Sequence, residues 1–183
     1  MEWLNYWSER AKAYKNRNLE SRELLAKHVN NIKPRSLIEI GCGPGFLFEL
    51  YRNVPVVAAL DWVPLMVYKA KAKCEQLNLD INVFKHDIAA SAPPGHWQLA
   101  LTRHCLMHIP PSRIQTAVRN ISEICDEALI FEWWLNYAPP KDTGHCFLHD
   151  YERLFEGVNQ HLFTRFDCTG EVRQTLFWFK KEM

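Results

Sequence analysis

The stretch that decides the fold is Ser36-Leu37-Ile38-Glu39-Ile40-Gly41-Cys42-Gly43-Pro44-Gly45. Its first half is a short, nearly continuous apolar run, and its second half puts glycine at every second position. A run of that kind predicts a strand buried on both faces of a parallel sheet. The glycines that follow let the backbone turn sharply and come close to a ligand. A dinucleotide fingerprint needs Gly-x-Gly-x-x-Gly, and the sixth position here is Phe46. Pro44 also lacks an N–H, which removes one donor from any amide cradle built for a pyrophosphate.

Outward from this loop the chain alternates short apolar runs with longer helical patterns. Strands are predicted at residues 36–40, 56–60, 81–84, 99–102 and 128–131, separated mostly by helical stretches. Helices are predicted at 20–31, 46–51, 64–77, 112–124 and 150–158. Pro64 suits a helix entrance. In 112–124, Ile114, Ala117, Val118, Ile121 and Ile124 fall on one face. Residues 161–169 and 172–179 read as two strands of an antiparallel hairpin around Gly170-Glu171. The pattern is a βα alternation closed by a hairpin, in one α/β domain.

The 183 residues suit a single core, with 48% apolar and 23% charged residues. Lys+Arg 22 against Asp+Glu 21 leaves +1, which argues against a dedicated nucleic-acid binder. Residues 1–10 lack the apolar core of a signal peptide, and no apolar run approaches a bilayer span. The cysteines Cys42, Cys74, Cys105, Cys125, Cys146 and Cys168 form no Cys-x-x-Cys pair and read as reduced thiols of a cytoplasmic protein.

Residues 37–45, with Glu39 two positions before the first glycine, resemble motif I of the class I S-adenosylmethionine-dependent methyltransferases, small-molecule type. The strand–helix order and terminal hairpin are similar to that family over nearly the whole chain. The resemblance implies a single Rossmann-like three-layer αβα domain over 1–183, with residues 1–31 as an N-terminal helical cap. It further implies a seven-stranded, mostly parallel sheet of order 3-2-1-4-5-7-6, with strand 7 antiparallel. The cofactor it implies is S-adenosyl-L-methionine, held by Gly41, Cys42, Gly43 and Gly45. Glu39 would meet the ammonium of the methionine end, the alternative being an acid shielded at a strand end. Asp61, at the tip of the second strand, would accept from both ribose hydroxyls; a helix cap for 64 onward is its other reading. Asp87 and Ile88 would bracket the adenine edge, and Trp62 would lie on the adenine face or pack in the core. Arg103 joins the same cofactor set.

Residues 97–110 are similar to the family's Asp-x-Val…Leu-x-His stretch: Leu106-Met107-His108 matches its end, while Gln98 replaces the Asp. His104 and His108, just past the fourth strand, are candidate bases for an acceptor proton, with Glu132 as a further base or ammonium ligand. Each histidine is also readable as a structural loop residue. Trp3, Tyr6, Trp7, Arg10 and Tyr14 make a stripe at helical spacing, similar to the family's leading helix that folds over the cofactor. Packing on the sheet edge is the other reading. Trp133, Trp134, Asn136 and Tyr137 suit the wall of an acceptor pocket. The His-x3-His spacings at 104/108 and 145/149 sit by Pro110 and Gly144, so no metal is expected. The expected partner is a small-molecule methyl acceptor, with no stable nucleic acid and no membrane, in a monomer or weak homodimer. The alternatives are a methyltransferase acting on RNA or protein and, disfavoured by Phe46, a nicotinamide oxidoreductase.

Overall fold

The computed structural model describes residues 2–13, 20–133, 145–167 and 174–181. Seven strands form one sheet of order β3-β2-β1-β4-β5-β7-β6. The chain divides into two compact units, Met1–His86 and Asp87–Met183.

The first unit carries helices α1 (Glu2–Ala13) and α2 (Glu20–Ile32), then β1 (Ser36–Ile40), β2 (Val56–Asp61), α3 (Pro64–Leu77) and β3 (Asn82–Lys85). β1, β2 and β3 are parallel, with Ile38 opposite Ala58 and Ala59 opposite Val83. Leu37, Ile38 and Ile40 are fully buried, as a run covered on both faces requires. Pro64 opens α3, and Asn78 closes it in the left-handed region at φ 51°, with the Leu79 N–H reaching back to the Cys74 carbonyl at 3.0 Å. The helix expected over 46–51 is a single 3₁₀ turn, Phe48–Tyr51. Few residues separate Gly45 from β2, and Pro55 lies among them, so no longer helix can close its hydrogen bonds there.

The second unit carries β4 (Trp97–Arg103), a 3₁₀ turn at Leu106–His108, α4 (Pro111–Ile124), β5 (Cys125–Trp133), α5 (Tyr151–Glu156), β6 (Gln160–Asp167) and β7 (Gln174–Lys181). β4 and β5 are parallel, and β7 is antiparallel to both β5 and β6. The strands run longer than the apolar cores that announced them, because sheet pairing carries polar residues such as Glu127 and Lys180 as opposite partners. Residues 168–173, where the hairpin turn was expected, lie outside the described residues. α4 buries Ile114, Ala117, Val118, Ile121 and Ile124 as its periodicity predicts. Phe155 stacks on Phe179 at 4.3 Å between ring centres, and Tyr151 packs on Phe177 at 5.6 Å. Among the described residues, no helix is long and apolar enough to cross a membrane.

Candidate active site

In the first unit the glycine loop hangs from β2. The Leu60 carbonyl accepts from both Gly41 N–H, at 2.8 Å, and Cys42 N–H, at 3.0 Å. Gly41, Gly43 and Gly45 all have positive φ, at 71°, 53° and 80°. A Cβ added at Gly45 would stand 2.6 Å from a ring carbon of Phe48, whereas one added at Gly43 would meet nothing within 4 Å. Gly45 is therefore required by packing and Gly43 by backbone shape, with open space beside it.

Asp61 joins the loop to the next strand. Its Oδ2 accepts from Gly43 N–H at 3.0 Å and its Oδ1 from Val63 N–H at 2.9 Å. Burial pushes its carboxyl up to about 6, although the Val63, Gly43 and Trp62 N–H groups pull the other way. Helix α3 is flanked by Val63, without a side-chain cap, so Asp61 closes the turn ahead of the helix and is not its cap. With Gly43, Val63 and Trp62 N–H groups on about four acceptor sites, the carboxylate keeps capacity for a further donor such as a hydroxyl. Glu39 is buried in β1 opposite Ala59.

Helix α1 lies on this turn. Ala11 is fully buried with Val63 and Met66, and Trp7, Trp62 and Leu65 pack against them. Lys69 of α3 donates to the Ala11 and Lys12 carbonyls at the end of α1. Tyr6 meets Trp7 edge-on at 5.2 Å, and the Arg10 guanidinium lies 5.3 Å above the Tyr6 ring while donating to its hydroxyl at 3.1 Å. Trp7 and Trp62 thus share one cluster, with Tyr6 against Trp7 and Arg10 against Tyr6. Tyr14 lies outside the described residues.

In the second unit Asp87 and Ile88 open a turn held by α4. Asp87 Oδ1 accepts from Ala89 N–H at 3.0 Å, and Oδ2 from Arg113 Nη2 at 2.8 Å. The Asn120 side-chain amide donates to the Ile88 carbonyl at 2.7 Å. Arg103 ends β4 opposite Phe131. His104 follows in the left-handed region at φ 51°, its N–H on the Phe131 carbonyl at 3.0 Å and its ring 5.4 Å from that of Phe131. His108 closes the 3₁₀ turn, with Nδ1 2.8 Å from the His145 carbonyl and 3.5 Å from Cys146 Sγ.

Glu132 is fully buried and bonds the residues between these two histidines. Its Oε1 accepts from Cys105 N–H at 2.8 Å, Leu106 N–H at 2.9 Å and Thr102 Oγ1 at 3.1 Å. Its Oε2 accepts from Met107 N–H at 3.2 Å. Burial pushes its carboxyl up to about 7 against the pull of those donors. A carboxylate so enclosed organises the loop that carries the histidines.

Three solved structures share this architecture. The N-methyltransferase NodS from Bradyrhizobium japonicum WM9, in complex with S-adenosyl-L-homocysteine, superposes with a TM-score of 0.82 at 15% identity, over 98% of this chain and 99% of that one. Magnesium protoporphyrin IX methyltransferase from Synechocystis PCC 6803, with bound S-adenosylhomocysteine, gives 0.76 at 12%, over 95% and 92%. TehB from Haemophilus influenzae gives 0.76 at 14%, over 94% and 66%. None of the curated proteins matches the chain in sequence. Residues 37–127 match a family described as a methyltransferase domain. Residues 37–127 are thus a methyltransferase domain, and the chain has the fold of the class I S-adenosylmethionine-dependent methyltransferases.

The cofactor of this methyltransferase is S-adenosylmethionine, and the first unit fits it. The space beside Gly43 is one that any side chain would fill, and a carboxylate with spare acceptor capacity stands on the same amide. Among the described residues, no group of three or more His, Cys, Asp or Glu side chains is arranged to hold a metal ion. Trp134, Asn136 and Tyr137, expected along the acceptor pocket, lie outside the described residues. Sequence reasoning missed the helix α4 contribution. Its signal was Asn120, a polar residue beside the apolar face of an otherwise regular amphipathic helix.

Proposed function

We propose that this methyltransferase transfers the methyl group of S-adenosylmethionine to a small-molecule acceptor, with His108 taking the acceptor proton. The observation that carries the proposal is the His108 contact with the His145 carbonyl. A carbonyl only accepts, so Nδ1 carries the proton in the neutral ring and Nε2 is the basic nitrogen. His104 is the second candidate. The small-molecule class is supported by the near-neutral charge of +1 and by the acceptor named for one of the similar folds, magnesium protoporphyrin IX.

Bound S-adenosylmethionine supplies a methyl group already activated on a sulfonium. The work left to the protein is to orient, to exclude water and to accept a proton. We assign Gly41, Cys42, Gly43 and Gly45 to close backbone approach, Asp61 to the ribose and Glu39 to the ammonium. Asp87 and Ile88 are assigned to the adenine, and Arg103 to the same ligand. Tyr6, Trp7, Arg10 and Trp62 are assigned to the cover over Asp61. Glu132 is a positioning residue, holding the 105–107 loop from below.

A screen of small-molecule acceptors, RNA and protein with labelled methyl donor tests this reading. Label in a small molecule, lost about 10²–10⁴-fold in His108→Ala, is the expected result. Label only in RNA or protein overturns the acceptor class. Full turnover in His108→Ala, with loss in His104→Ala, transfers the base to His104.

A further inference from the structure

Helix α4 holds the 87–88 turn by two side chains seven positions apart, and therefore on one helical face. Arg113 grips the Asp87 carboxylate and Asn120 grips the Ile88 carbonyl, at 2.8 and 2.7 Å. The Ala89 N–H holds the other Asp87 oxygen at 3.0 Å, and the Asp87 carbonyl accepts from Ala90 N–H at 2.9 Å. The Arg113 grip is not explained by stability. The Arg113–Asp87 side chains are 44% and 36% exposed, and an ion pair so wetted contributes little. Arg113 also stands in the first turn of α4, where the helix dipole disfavours a cation. Asn120 is a buried amide that pairs the buried Ile88 carbonyl and so fixes the backbone on which Asp87 stands. What the two residues share is the turn.

We propose that Arg113, supported by Asn120, is a specificity-determining positioning residue that aims the Asp87 carboxylate so that the 87–88 turn accepts a 6-amino purine and rejects a 6-oxo purine. The proposal rests on the assignment of Asp87 and Ile88 to the adenine edge. An ionised carboxylate only accepts hydrogen bonds. A 6-amino group donates to it, whereas a 6-oxo group turns lone pairs toward lone pairs. An unrestrained Asp side chain escapes that repulsion by rotating away, so the wrong base is tolerated. Held by Arg113 on one oxygen and by Ala89 N–H on the other, the Asp87 carboxylate rotates away only by giving up both bonds. The clamp thus turns a preference into a discrimination, because the rejected ligand leaves a fixed acceptor unpaired.

Calorimetry of the full chain with S-adenosylhomocysteine and with S-inosylhomocysteine tests this, in the wild type, Arg113→Met, Arg113→Lys and Asp87→Asn. The wild type should prefer the adenosyl ligand by about tenfold or more, the worth of a hydrogen bond to a charged group. Arg113→Met should reduce that preference severalfold at unchanged melting temperature, and Arg113→Lys, which restores the charge without the planar fork, should recover part of it. Asp87→Asn should abolish the preference, since its amide can turn a donor toward a 6-oxo group. A preference lost in Asp87→Asn but intact in Arg113→Met overturns the role of Arg113 and leaves the adenine assignment standing. A preference intact in Asp87→Asn overturns the adenine assignment, and this proposal with it.

Discussion

Gly43 and Gly45 share a left-handed backbone for different reasons, and substitution separates them. Alanine at either site is strained by about 1–2 kcal/mol. At Gly45 it also drives a Cβ to within 2.6 Å of the Phe48 ring. At Gly43 nothing stands within 4 Å, so the added methyl occupies only the space assigned to the cofactor. Gly45→Ala should therefore lose the more stability in urea unfolding, and Gly43→Ala the more cofactor affinity for its modest loss of stability. Equal losses on both axes would contradict the distinction. Asp61 makes a pH prediction of its own. Its folded carboxyl is raised from 3.8 to about 6, so between these values the folded chain holds a proton that the unfolded chain has released. That stability is fully present below about pH 4 and is lost as pH rises through 6. Asp61→Asn should flatten this part of the stability profile, read as urea midpoints between pH 4 and 7, while weakening the cofactor. At this scale much was legible: alternate glycines and an acid at the next strand tip are local patterns. The Asp61–Gly43 bond was not, because it joins positions 18 apart and only folding brings them together.

Glu132 belongs to the element it organises. Three loop N–H groups and a hydroxyl converge on one carboxylate, so the ends of β4 and β5 are tied through a single side chain. In Glu132→Gln one carboxylate oxygen becomes an NH₂ that faces a donor. Amide hydrogen exchange at Leu106 and Met107 should then speed by about tenfold or more. Unchanged protection would show that the loop holds itself. The carboxyl of Glu132 is raised from 4.5 to about 7, so its ionisation lowers stability as pH climbs through that window. Opening of the loop frees the same carboxyl, so protection of these amides should fall as pH climbs from 4.5 through 7, once the intrinsic exchange rate is divided out. Helix α1 is the other element with a stated task. Ala11→Glu would bury a charge against Val63 and Met66 and lift the helix from the turn after Asp61. Cofactor affinity should fall with the rest of the fold intact; an unchanged dissociation constant would leave α1 a packing element only. The apolar stripe of α4 and the runs of β1 and β2 were readable because each pattern spans its whole element. Residues 46–51 misled because a short amphipathic segment looks alike as a helix and as one 3₁₀ turn, and only the distance to Pro55 decides.

For the molecule as a whole, strand order was the feature least accessible to patterning. Periodicity marks strands but not their neighbours, and the order 3-2-1-4-5-7-6 came from family resemblance and stands in the structure. The methyl acceptor stayed illegible for a physical reason. The cofactor is met by backbone shape and carboxylates, which leave compact motifs, whereas an acceptor is met by whatever side chains the variable segments supply. Cofactor recognition is accordingly the property that a global measurement can test without knowing the acceptor. A ligand that binds only the folded chain stabilises it by about 2.7 kcal/mol at a hundredfold excess over its dissociation constant. For a chain of 183 residues each kcal/mol moves the melting temperature by about 2–4 °C. S-adenosylhomocysteine at that excess should raise it by about 5–11 °C. Nicotinamide dinucleotides should raise it not at all, because Phe46 stands where their fingerprint requires glycine and Pro44 removes an amide from the cradle. At the same ligand concentration Gly43→Ala should lose most of the shift. An equal shift with nicotinamide dinucleotide, or a full shift in Gly43→Ala, would move the cofactor away from the glycine loop.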